Sequence, residues 1–119
     1  MSDACNDFHS LRVTDRSITL ASCDNDIIHV LDDPGALKET HGGPGEAAGK
    51  FGGPIICSVE SDDRMLVADD YNNRFQVYHD GKWRVLSMQP QPSERQDAVV
   101  TQHALYVIDC GKLIMYRFQ

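Results

Sequence analysis

The side chains able to do chemistry are scattered along this chain rather than gathered in motifs. The histidines, His9, His29, His41, His79 and His103, share no common spacing, which argues against a histidine-based metal centre. Asp24-Asn25-Asp26 and Asp62-Asp63 lack the graded ligand spacing of a calcium loop and read as solvated turns. The cysteines, Cys5, Cys23, Cys57 and Cys110, form no Cys-x-x-Cys pair and stand at no zinc-finger spacing from a histidine. They read as reduced thiols in a cytoplasmic chain, filling small core or turn positions. Gly45-Glu46-Ala47-Ala48-Gly49-Lys50 lacks the Gly-Lys-Ser/Thr ending of a phosphate loop, and no helix follows it. There is no Gly-x-Ser-x-Gly, and no Ser/His/Asp or Cys/His set can be assembled. The pattern predicts a non-enzyme with no metal and no cofactor.

The elements that carry these residues are short strands. Ile55 to Val59, Met65 to Ala68, Phe75 to His79 and Trp83 to Met88 are apolar or alternating runs, separated by Ser61-Asp62-Asp63, by Asp69-Asp70-Tyr71-Asn72-Asn73 and by Asp80-Gly81. Asp-Gly tolerates the positive φ values of a tight hairpin. Four such runs make an antiparallel meander. Shifting the chain by 47 places Leu20-Ala21-Ser22 on Val67-Ala68-Asp69, Asn25 on Asn72, Val30 on Val77 and Asp33 on Asp80. A second meander is therefore expected over residues 9–41, with strands Leu11 to Val13, Ser17 to Ala21, Ile27 to Leu31 and Ala36 to Thr40. Shifting by 40 places Leu105-Tyr106-Val107-Ile108-Asp109 on Met65-Leu66-Val67-Ala68-Asp69. This predicts a third unit over 97–119, with strands at Ala98 to Thr101 and Leu113 to Phe118 on either side, one strand short of the others. Such periods suit four-stranded blades. The glycine- and proline-rich stretch His41 to Pro54 and the polar stretch Gln89 to Gln96 are expected as linkers.

The 119 residues fit one domain. A net charge of −7 argues against a broad basic face for nucleic acid. No apolar run approaches the roughly 20 residues of a membrane helix, and Met1 to Asp7 is too acidic and polar for a signal peptide.

The central stretch resembles an NHL repeat. The matching pieces are Gly49-Lys50-Phe51, Pro54, Ile55-Ile56, Leu66-Val67-Ala68-Asp69, Asn72-Asn73-Arg74-Phe75-Gln76-Val77-Tyr78 and Gly81, in order and spacing. The resemblance covers about a third of the chain. It implies an all-β fold of four-stranded antiparallel meander blades, an incomplete NHL-type β-propeller with blades near 9–41, 51–88 and 97–119. It also implies a structural ion pair between Asp69 and Arg74. The flanking blades depart from the pattern: Ile27 replaces the arginine in the first, and the third turn shortens to Asp109-Cys110-Gly111.

On this reading the turns after each second strand share a face with the linkers. That face would offer Lys50, Phe51, Tyr71, Asn72 and Asn73 from the central blade, Cys23, Asp24 and Asn25 from the first, and Arg95 and Lys112 from the third. Tyrosine with amides suits a peptide or an unpaired base. In tripartite-motif NHL proteins, which the chain resembles in its repeat alone, the propeller recruits targets for a separate ubiquitin-ligase module, and some such propellers bind RNA. The expected function is non-catalytic protein–protein recognition, with single-stranded RNA binding by the same face as the alternative. Two blades and most of a third do not close a ring. The chain is thus expected to be part of a longer propeller or to pair with a second copy. Leu113 to Phe118 is the apolar edge through which it would pair.

Overall fold

The computed structural model describes residues 8–22, 25–32, 35–60, 62–86, 97–109 and 111–118. The first sheet is β1 (Phe8–Val13), β2 (Ser17–Ser22), β3 (Ile27–Asp32) and β4 (Leu37–Gly42). The second is β5 (Pro54–Val59), β6 (Met65–Asp69), β7 (Arg74–His79) and β8 (Lys82–Leu86). The third is β9 (Asp97–Val100), β10 (Ala104–Asp109) and β11 (Lys112–Arg117). In each sheet neighbouring strands are consecutive in the chain and antiparallel. The all-β expectation holds. The helical content among the described residues is one 3-10 turn, Asp70–Asn72, and no helix is long and apolar enough to cross a membrane. The sheets do not close on one another.

The 47-residue offset reappears in the hydrogen-bond register. Ile18 pairs with Leu31 and Ser22 with Ile27; at the shifted positions Met65 pairs with Tyr78 and Asp69 with Arg74. The turn geometry repeats as well. Asp26 and Asn73, one offset apart, both hold a left-handed backbone, at φ 57° and 54°. Short polar side chains tolerate that region better than β-branched ones. Asp80 and Gly81 both have positive φ, 54° and 80°, as a two-residue primed hairpin turn requires.

Two cores separate the three sheets. Ala21, Ile28 and Val30 of the first sheet meet Ile56, Met65 and Val67 of the second, with Phe51 of the connector among them. On the opposite face Leu66, Ala68, Phe75 and Val77 meet Val100, Leu105 and Val107 of the third. The second sheet is therefore covered on both sides. That is why β6 is buried at every position and reads as a continuous apolar run rather than an alternation. Among the first strands, β5 touches β1 on one side and β9 on the other, and the Ile56 amide donates to Ser10 Oγ at 3.1 Å. Pro54 opens β5, a position where its missing N–H costs no ladder bond.

Phe51 corrects the sequence reading. It was expected on a binding face, but it is fully buried between the first two sheets, its ring 5.0 Å from that of Trp83. Trp83 in turn donates its indole N–H to His41 Nδ1 at 3.2 Å, and the Tyr78 ring packs at a tilt against both rings. His41 Nδ1 thus accepts, so its proton sits on Nε2, 2.8 Å from Glu39. The edge strand β11 needs a second correction. Tyr116 and Phe118 turn inward onto the core shared with the second sheet, and the exposed apolar side chains are Leu113 and Met115.

Candidate functional site

Asp69 ends β6 and is the hub of one end of the second sheet. Its side chain is fully buried, and four groups donate to it. Oδ1 accepts from the Gly52 amide at 2.7 Å and from Asn72 Nδ2 at 3.1 Å. Oδ2 accepts from Arg74 Nε at 2.6 Å and Gln76 Nε2 at 3.1 Å. A buried carboxylate is tolerable only when paired and hydrogen-bonded in this way. With both oxygens engaged, Asp69 is placed to organise backbone rather than to move protons.

The partners of Asp69 hold the connector from β4 to β5. Arg74 donates to the carbonyls of Glu46 at 2.7 Å, Ala47 at 3.3 Å and Lys50 at 3.2 Å. Gln76 takes the Gly49 amide on Oε1 at 2.9 Å and gives Nε2 to the Lys50 carbonyl at 2.8 Å. Asn72 reaches the Gly45 carbonyl at 3.1 Å. These side chains come from alternating strand positions and one turn, so the meander itself sets their spacing. They complete backbone hydrogen bonds that an irregular glycine-rich segment cannot make for itself.

What this clasp presents to solvent is Tyr71. Its amide donates to the Gly52 carbonyl at 2.9 Å, which fixes the 3-10 turn on the connector. Its ring lies so close to Gly53 that a Cβ there would meet ring carbon Cε2 at 3.0 Å, yet the residue is 76% exposed. Gly53 donates its amide to Asp26 Oδ1 at 2.8 Å, which brings the first sheet's turn, with exposed Asn25, to the same patch. Asn73 is exposed beside Tyr71. Lys50 is exposed on the connector and donates Nζ to the Gly42 carbonyl at 3.0 Å.

The expected binding residues therefore divide. Tyr71, Asn73, Asn25 and Lys50 are exposed around one connector. Asn72 is half-buried and spends its amide on Asp69 and Gly45. Phe51 is core. Lys112 opens β11 on the third sheet and is exposed there. Arg95, Cys23 and Asp24 lie outside the described residues. Asp62, read as an idle turn residue, pairs with Arg64 at 2.9 Å. Among the described residues no group of histidine, cysteine and acidic side chains is placed to hold a metal ion.

A cleft elsewhere on the second sheet escaped the sequence reading. At the far end of β7, between the second and third sheets, a cleft of about 340 Å³ is bordered by Arg64, His79, Lys82 and Arg84. The signal was available as a cluster of cationic residues at strand ends in an acidic chain, but only the strand register brings them together.

No protein-family model matches the chain, and no curated protein matches it.

Proposed function

We propose that the three sheets are successive blades of an open NHL-type β-propeller, and that the chain is a non-catalytic module recognising a protein segment through the surface around Tyr71. The repeated register of the first two sheets and the contacts of β5 with β1 and β9 support the blade reading. The observation that carries the function is Tyr71 itself. A large aromatic is kept 76% exposed while the turn beneath it is fixed by Gly52, Asn72 and the buried Asp69. A rigid, exposed tyrosine beside amide groups loses little conformational freedom on binding and offers both apolar area and a hydroxyl. The acidic net charge favours a protein segment over single-stranded RNA.

The same reading completes the outer blades by association with a second copy. The first sheet turns Leu11, Val13 and Leu37 to solvent, and the third turns Ile108, Leu113 and Met115.

Selection from a displayed peptide library tests the recognition. Enriched peptides should bind the wild-type chain saturably, and Tyr71→Ala should weaken them at least about tenfold while leaving the fold intact. Peptides that bind Tyr71→Ala as well as wild type would refute it. Single-stranded RNA binding that weakens steeply with salt would favour the nucleic-acid alternative.

A further inference from the structure

The cleft between the second and third sheets lies at the opposite end of β7 from Tyr71 and is independent of the recognition just proposed. Its composition follows from register. His79 faces Lys82 and Val77 faces Arg84 across the β7–β8 hairpin, so all four side chains stand on one face of the second sheet. That face looks toward the third sheet, which contributes Phe118. Arg64, just before β6, joins them.

The cations differ in how far they are already engaged. Arg64 gives Nη1 to Asp62 at 2.9 Å and Nη2 to His79 Nε2 at 3.2 Å. A guanidinium can only donate, so His79 Nε2 accepts and its Nδ1 carries the proton, leaving a second donor. Arg84 sits over the Phe118 ring at 5.4 Å from its centroid, and both Arg84 and Lys82 are exposed. The carboxylate bonded at this site, Asp62, is the one Arg64 neutralises. Asp80, in the adjoining hairpin turn, is not among the lining residues.

We propose that this cleft binds a small organic phosphate carrying a flat ring, about the size of a mononucleotide. A single carboxylate needs one cation, whereas a phosphate monoester carries close to two charges and accepts several donors. Lys82 supplies a point charge, and Arg84 a planar fork suited to two phosphate oxygens. With one guanidinium face on Phe118, the other is left for a flat ring to stack on. Val77 makes the wall apolar beneath it. A volume of about 340 Å³ lies at the small end of ligand pockets.

The indole of Trp83 packs on the opposite face of the sheet against Phe51 and His41, so occupancy of the cleft is read from amide shifts in the NMR spectrum. The intact chain is titrated separately with adenosine monophosphate, uridine monophosphate, adenosine and inorganic phosphate. A saturable change with at least one nucleotide is expected, with a Kd of about 1 mM or tighter. Adenosine and inorganic phosphate should each bind about tenfold more weakly. Lys82→Met and Arg84→Met, both at exposed positions, should each weaken the nucleotide about tenfold. Lys38→Met, exposed on β4 of the first sheet and away from the cleft, should change nothing. Absence of saturation with both nucleotides would overturn the site. So would adenosine or inorganic phosphate binding as tightly as the nucleotide, or unchanged affinity in both cleft variants that melt like wild type.

Discussion

Gln76 and Asp69 are both fully buried, and Gln76 Nε2 donates to Asp69 Oδ2 at 3.1 Å. The amide and the carboxylate between them hold Gly49, Lys50 and Gly52, so a seven-residue separation within one hairpin fixes the connector that precedes it.

Removing the hub should therefore be costly. Asp69→Ala leaves Arg74, Asn72, Gln76 and the Gly52 amide without their shared acceptor, and a loss of about 3 to 5 kcal/mol is expected. Asp62→Ala breaks a half-exposed ion pair with Arg64 and an exposed bond from the Arg64 amide, and should cost about 1 kcal/mol. Urea unfolding of the two variants checks the difference. Equal midpoints would contradict the role given to Asp69.

Gly42 gives a backbone counterpart. A Cβ at this residue would lie 2.6 Å from the Asp26 carbonyl oxygen and 2.8 Å from the buried Phe51 ring, at φ +110°. At Gly81 the φ is also positive, +80°, but the space is open. Both alanine variants carry the left-handed penalty of about 1 to 2 kcal/mol. Gly42→Ala should add about 1 to 3 kcal/mol more, because neither the carbonyl nor the packed ring can move freely. Thermal melting should rank Gly42→Ala well below Gly81→Ala.

The strands of the first two sheets were legible because their turns carry their own chemistry, as at Asp80-Gly81, and because the 47-residue offset aligns two copies. The Asp69–Arg74 pair was expected from the resemblance of the central stretch to an NHL repeat, with the two residues bracketing one short turn. The clasp beyond it was not. Gln76 looks like any polar residue in a strand, and its partners are loop carbonyls and amides some 26 residues earlier. Phe51 was misread for a related reason. Flanked by glycines in a linker it resembles an exposed loop residue, but the connector folds back and Phe51 closes the gap between two sheets. The cationic cleft was hidden because its walls come from β7, β8 and the third sheet, which only packing brings together.

Tyr78 provides a pH test. Burial raises its hydroxyl above the usual value near 10, and the carboxylates of Glu39, Asp63 and Asp80 add to the shift. The folded state thus holds the proton more tightly than the unfolded chain does. The stabilising contribution is complete below about pH 10 and is lost as pH rises through the folded value. Stability of the wild-type chain should fall more steeply above about pH 10 than that of Tyr78→Phe. Parallel alkaline profiles for the two proteins would contradict the shift.

The open outer sheets are tested most directly by mass in solution. Val13 is 67% exposed on the first sheet and Leu113 is 70% exposed on the third. If these faces belong to an incomplete ring, a second copy should cover them. Static light scattering across a concentration series should then show the mass rise from that of the monomer to twice that value, and Leu113→Lys should hold it at the monomer. A wild-type chain that stays monomeric and fully folded at every concentration, and melts like Leu113→Lys, would contradict completion of the outer blades by association.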